Sequence, residues 1–166
     1  MLWKSLLGKT LKYLSKRRMK MDKKIIAEIR GLREKANVAY IGSVNENGFP
    51  QIKAMLVAED SDKRELKTHY FSTNYSSKRV KQFLANPKAC VYYCDETKDK
   101  YKGALFTGTI EVCTDHDTKA MLWHDGDELY YPKGVDDDDY CVYKFTAETV
   151  NYYYGLSNRT FSIDEI

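Results

Sequence analysis

Tyr70-Phe71-Ser72-Thr73-Asn74-Tyr75-Ser76-Ser77-Lys78-Arg79-Val80-Lys81-Gln82-Phe83-Leu84-Ala85-Asn86-Pro87 is the stretch from which the fold is read. Tyr70 and Phe71 are strand-type aromatics. A polar run from Ser72 to Ser77 reads as a turn. Val80, Phe83 and Leu84 then recur at helical spacing. Asn86-Pro87 marks the end, since proline disfavours the helical conformation of its predecessor. The reading is strand, turn, helix, with the helix starting near Ser76 as N-cap. The first turn of a helix offers unpaired N–H groups and a partial positive charge. Lys78 and Arg79 add two cations there, and Thr73, Ser76 and Ser77 add hydroxyls. Such a set suits a phosphate monoester. Taken alone, however, the stretch reads first as a plain capped helix.

Working outward, 166 residues suit one domain, or one domain with an appendage. A chain of this length buries about 70% of its unfolded surface, so it needs no disulfide or metal staple. Tyrosine supplies 14 of the residues, which favours a β-rich core and interfaces with polar edges. The net charge of +3 is uneven: residues 1–21 hold seven Lys or Arg and no acid, leaving 20 basic and 24 acidic residues beyond them. A mildly acidic main domain argues against nucleic acid as a partner. Cys90, Cys94, Cys113 and Cys141 form no C-x-x-C pair, and free thiols of a reducing cytoplasm are the favoured reading. No run approaches a membrane span.

Residues 2–18 read as a basic amphipathic helix, with Leu2, Trp3, Leu6, Leu7, Leu11 and Leu14 on one side. It is a packing arm, a membrane-surface contact, or an over-extended translation with the true start at Met19 or Met21; membrane contact is the least favoured of the three. Residues 22–35 read as a second helix, presenting Ile25, Ile26, Ile29 and Leu32. Strands follow at 38–44 and 50–58, joined by a turn whose Asn47-Gly48 is a strong hairpin signal. Lys53 is the one charge within the second of these strands. Residues 88–94 and 101–113 are strands, the latter carrying Gly103 and Gly108, which permit a bulge or a close approach. Asp115 caps a short helix to Trp123. The acidic run Asp136–Asp139 reads as solvated. Strands at 141–145 and 150–154, with a turn at Ala147-Glu148, close the domain. The expected fold is mainly β with peripheral helices: a barrel of six to seven mostly antiparallel strands. The expected boundaries are 1–21 for the basic segment, 22–156 for the domain and 157–166 for a tail.

In this order the motifs resemble the FMN-binding split-barrel superfamily, the family of pyridoxamine 5′-phosphate oxidase and its shorter general-stress-protein relatives. The resemblance spans about residues 23–154. It rests on Asn47-Gly48-Phe49-Pro50, on Lys53 where the family usually has arginine, and on Phe71-Ser72-Thr73-Asn74 with Ser77-Lys78-Arg79, Gln82 and Asn86-Pro87. Gly108, Trp123 and the loop from Tyr131-Pro132-Lys133-Gly134 to Asp139-Tyr140 complete it. The resemblance implies a split β-barrel and a homodimer holding FMN between its subunits. Lys53, Lys78, Arg79, Thr73 and Ser77 would hold the phosphate. Backbone groups of Ile52, Lys53, Ala54, Met55 and Ser72 would line the ribityl chain and ring, and Trp123 and Lys133 would reach the cofactor from the other subunit.

Two departures stand against genuine pyridoxamine phosphate oxidation. Ala58 stands where the oxidase pattern has a further phosphate-binding lysine, and the oxidase's C-terminal Arg-x-His motif is absent. The general-stress-protein branch is the closer match. The expected function is FMN-dependent oxidation or reduction of a small molecule, with no catalytic side chain assigned. The alternatives are a non-catalytic flavin-binding stress module and a haem or deazaflavin user on the same barrel, with His69 and His124 as the candidate haem ligands. His124, Asp125, Asp127 and Glu128 match no metal-binding spacing, so no metal is expected.

Overall fold

The structure, a computed structural model, describes residues 2–60, 64–97 and 101–166, with side chains from Lys16 onward apart from Arg17 and Arg18. The chain opens with α1 (Leu2–Lys35) and continues through β1 (Val38–Val44), β2 (Pro50–Leu56) and β3 (Thr68–Asn74). Next come α2 (Lys78–Ala85), β4 (Lys88–Asp95), β5 (Lys102–Cys113), α3 (His116–Met121), β6 (Tyr140–Tyr154) and β7 (Ser157–Ser162). The strands form one antiparallel sheet in the order β2-β1-β4-β5-β6-β3, with β7 also paired to β6. Met55 and Val57, at the β2 end, and Phe71, on β3, pack into the same buried cluster, so the sheet curls around one core. This is the expected split-barrel-like β fold with peripheral helices.

Local chemistry explains the β1–β2 connection. The Asn45 side-chain oxygen accepts from Asn47 N at 3.0 Å and Phe49 N at 2.9 Å, and Gly48 takes φ +82°. Only a residue without Cβ adopts that angle cheaply.

Three readings are corrected. Residues 2–35 form one helix rather than two; no proline falls within the span to break it. The apolar face expected over residues 2–18, and any membrane contact by it, lie outside the described side chains. Among the described residues, no helix is long and apolar enough to cross a membrane. Second, the turn expected at Ala147-Glu148 is a β-bulge inside a single 15-residue strand: Thr107 pairs with Thr149 and Gly108 with Ala147, leaving Glu148 as the extra residue. Gly108 makes this possible, because a Cβ there would stand 2.0 Å from the Thr146 carbonyl oxygen. Third, residues 157–162, read as part of a tail, pair with Thr149–Tyr154, and Phe161 is buried in the core. With one large apolar residue in six, this strand shows almost no alternation.

Helix α1 is fastened by buried charge as well as by Ile29. Arg33 is fully buried and bonds Glu59 at 2.8 Å, the Glu65 carbonyl at 2.7 Å and the Thr68 carbonyl at 3.0 Å. Arg64 donates to the carbonyls of Arg33, Glu34 and Ala36 at 2.8–3.0 Å, satisfying acceptors that the helix end leaves open. Two arginines thus bind the β2–β3 connection to the end of α1.

Both faces of β6 are covered at its start. Cys141, Tyr143 and Phe145 face the barrel core. Tyr140 and Val142 join a second cluster with Cys113, Leu122 and Tyr131 beneath α3. This double burial accounts for the near-continuous apolar run there.

Candidate functional site

The turn between β3 and α2 is best understood by asking where its backbone N–H groups go. Tyr75 N donates to the Asp139 carbonyl at 2.7 Å, and Ser76 N to the Asp139 carboxylate at 2.6 Å. Ser77 N donates to the Asn74 carbonyl at 3.1 Å. Val80 N is shared between the Ser77 carbonyl at 3.1 Å and the Ser77 hydroxyl at 3.4 Å. The N–H groups of Lys78 and Arg79 have no partner among the described residues. They open the helix beside the Ser77 hydroxyl.

The N-cap is therefore Ser77, one residue later than expected, with extended backbone at φ −65° and ψ 143°. Ser76 instead turns to Asp139, donating both its N–H and its hydroxyl to that carboxylate.

Arg79 supplies a second feature. Its Nη1 is buried and has no hydrogen-bond partner among the described residues. A buried guanidinium nitrogen left unsatisfied is costly and calls for an acceptor. Nearby, the Tyr143 hydroxyl lies 3.4 Å from the Ser77 hydroxyl. Burial raises the Tyr143 pKa, while hydrogen bonding to Ser77, the Arg79 charge and hydrogen bonding to Thr73 pull it back. The Ser77 and Tyr143 hydroxyls thus meet at the start of α2, where the Lys78 and Arg79 N–H groups have no partner among the described residues.

The other expected residues lie elsewhere in the single chain. Lys78 is exposed and lines a polar groove of about 570 Å³ with Gln51, Lys81 and Gln82. Ser72 stands opposite Val142 in the β3–β6 ladder. Lys53 is exposed on β2, opposite Ile41. Ile52, Ala54 and Met55 share that strand, which is the terminal one in the sheet order, so one backbone edge of β2 has no strand partner among the described residues. Trp123 packs on Tyr140, ring centroids 5.2 Å apart, and Lys133 is held by Asp138 at 2.6 Å. No described contact brings Lys53, Trp123 or Lys133 to Arg79.

The acidic run is not merely solvated, which corrects that reading. Asp136 bonds His116 at 2.8 Å and Asp138 bonds Lys133. Asp137 accepts from Lys133 N and Asp139 N, and its carbonyl receives the buried Lys119 ammonium at 2.9 Å. Asp139 binds the β3–α2 turn. Sequence reasoning missed both Asp139 and Tyr143 as parts of this corner. A tyrosine in a core strand is itself a signal, since a buried hydroxyl needs a partner. Asp139 had none, because its partners lie more than 60 residues away.

His69 is fully buried. Its Nε2 lies 3.1 Å from the Leu66 carbonyl and its Nδ1 3.0 Å from the Tyr93 hydroxyl. Since a carbonyl only accepts, Nε2 carries the proton and Tyr93 donates to Nδ1. Both ring nitrogens are occupied, so His69 is not available as a haem ligand. Among the described residues, no group of three or more His, Cys, Asp or Glu side chains is placed to hold a metal.

Comparison with known proteins shows the family. The family model described as pyridoxamine 5′-phosphate oxidase matches residues 25–154. The chain belongs to that family. A solved Clostridium acetobutylicum protein, related to general stress protein 26 and of the pyridoxinephosphate oxidase family, is 43% identical. The match covers 86% of this chain and 96% of that one, with a TM-score of 0.75. General stress protein 26 from Bacillus anthracis matches at 17% identity over 78% of this chain and 95% of that one, with a TM-score of 0.61. A haem-binding protein from Mycobacterium smegmatis matches at 14% identity over 81% of this chain and 56% of that one, with a TM-score of 0.64. At those identities the last two share the fold alone. No curated protein gives a significant match.

Proposed function

We propose that this chain is an FMN-binding protein that acts, as a homodimer, in the oxidation or reduction of a small molecule. The observations that carry the reading are a buried Arg79 Nη1 and two N–H groups, those of Lys78 and Arg79, all without a partner among the described residues. A phosphate monoester supplies the acceptors these donors lack. Thr73 and Ser77 add hydroxyl donors, and Lys78 adds charge in the first turn of α2. The open edge of β2 at Ile52–Met55, with Ser72, offers backbone donors and acceptors to a planar ring. Bound FMN supplies hydride and electron transfer; the protein's part is to hold and orient it.

The outer sheet surface supports the dimer. Ile52 and Leu56 are 74% and 76% exposed, and Ile52 borders an apolar groove of about 410 Å³ with Tyr40, Cys90, Tyr92 and Leu105. A contiguous apolar face of this kind is what a second copy covers. In such a pair, Trp123 and Lys133 of one copy would reach the flavin held by the other. Satisfaction of both His69 nitrogens removes one of the two candidate haem ligands.

The test is reconstitution with FMN followed by removal of excess ligand. The expected result is retention of the two visible flavin bands at about one flavin per chain. A protein that retains no flavin, or that is isolated with a sharp Soret band, contradicts the proposal.

A further inference from the structure

Asp139 makes four contacts to the turn that leads into α2, and none of them is to the proposed ligand. Its carbonyl accepts from Tyr75 N at 2.7 Å. Its carboxylate accepts from Ser76 N at 2.6 Å, the Ser76 hydroxyl at 3.1 Å and the Asn74 amide at 3.1 Å. Asp139 is itself held, because its N–H donates to the Asp137 carboxylate at 2.9 Å. Asp137 in turn is fastened by the buried Lys119 ammonium and by Lys133 N. A chain of bonds therefore runs from α3, through the acidic loop, to the residues just before Ser77.

The consequence lies in which amides remain. Asp139 occupies the N–H groups of residues 75 and 76, and Asn74 occupies that of residue 77. The first free donors in the row are those of Lys78 and Arg79, the residue that also carries the orphaned guanidinium nitrogen. Were the turn released, Ser76 could take over as N-cap, and the free amides would move away from Arg79. A negative charge next to an anion seat would ordinarily repel the ligand. Here three donors to its carboxylate absorb that charge.

We infer that Asp139 is a positioning residue for the phosphate seat, locking the register of the β3–α2 turn so that the Lys78 and Arg79 amides, the Ser77 hydroxyl and Arg79 Nη1 point to one anion. This rests on the FMN reading above, and it adds a residue whose contacts run to the turn at residues 74–76. The interaction is specific to the phosphate end. Asp139 therefore governs how strongly the protein prefers FMN over riboflavin, which has the same ring and no phosphate.

The experiment measures FMN and riboflavin dissociation constants by flavin fluorescence quenching on the full chain, for wild type, Asp139→Ala and Asp139→Asn. Wild type binds FMN more tightly than riboflavin. Asp139→Ala loses the charge-assisted bonds to the turn, so FMN binding weakens about tenfold while riboflavin binding stays within about twofold. Asp139→Asn keeps one acceptor for Ser76 N and falls between. Amide hydrogen exchange on the same proteins reads the clamp without ligand: Ser76 N–H loses protection in Asp139→Ala, while core strand amides keep theirs. The near-isosteric Asp139→Asn keeps the test open if the alanine variant does not fold. An unchanged FMN-to-riboflavin ratio, or a proportional loss of both ligands, overturns the inference. A wild type with no preference for FMN overturns the phosphate reading itself, whereas unchanged Ser76 exchange overturns only the clamp.

Discussion

Arg33 and Glu59 form an ion pair at 2.8 Å whose side chains are 1% and 6% exposed. The pair joins the last turn of α1 to the connection after β2. The same guanidinium reaches the Tyr93 hydroxyl at 3.4 Å, which donates to His69. One continuous polar chain, Arg33 to Tyr93 to His69 to the Leu66 carbonyl, therefore crosses the interior.

Removing one member of a buried pair leaves the other charge uncompensated. Glu59→Gln is expected to cost about 3–5 kcal/mol. Denaturant titration reads this directly, and a loss below about 1 kcal/mol would show that the pair is solvated in solution.

The polar chain also sets a pH dependence. Burial, followed by the Arg33 charge, holds the His69 pKa well below the ordinary 6.5. Between that depressed value and 6.5 the unfolded chain binds a proton at this site and the folded chain does not. Stability therefore falls as pH drops below 6.5, by up to about 1.4 kcal/mol per pH unit from this group. The slope of stability against pH between 7.5 and 5 should flatten in His69→Gln; equal slopes in the two proteins would contradict the buried neutral imidazole.

Gly108 is the hinge of the β5–β6 bulge. A Cβ would collide with backbone, the Thr146 carbonyl oxygen at 2.0 Å, so no side-chain adjustment relieves it. Gly108→Ala is expected to destabilise by at least about 1–3 kcal/mol, the usual range for forced overpacking. Gly31 serves as the control, because an added Cβ there meets nothing within 4 Å and alanine suits a helix better. A Gly108→Ala protein as stable as Gly31→Ala would refute the bulge.

The strands were largely legible because each carried its own period or turn signal. Asn47-Gly48 announced the first hairpin, and Asn86-Pro87 ended α2 where it was expected. What failed was non-local. Glu148 looks like a turn residue until β5 is laid beside it. The Ser157–Ser162 strand has too few apolar residues to show a period and takes its place from pairing with β6. The cap at Ser76 was displaced by one residue because Asp139, distant in sequence, claimed that serine first. Of the candidate site, the hydroxyl and cation cluster was readable as a motif. The tyrosine and aspartate that organise it depend on the β3–β6 register, which no local pattern encodes.

In the proposed phosphate seat, Arg79 Nη1 stays unsatisfied until the ligand arrives. The most direct test compares wild type with Arg79→Met in two measurements on the same samples: melting temperature without ligand and FMN affinity. Methionine keeps much of the side chain's length and removes the orphaned donor. The expected result is a ligand-free melting temperature equal to or above wild type, with FMN affinity reduced by about tenfold or more, the worth of a charged hydrogen bond of about 1.5–3 kcal/mol. A variant that melts lower and binds FMN as tightly as wild type would contradict it, showing that Arg79 serves the fold and not the ligand.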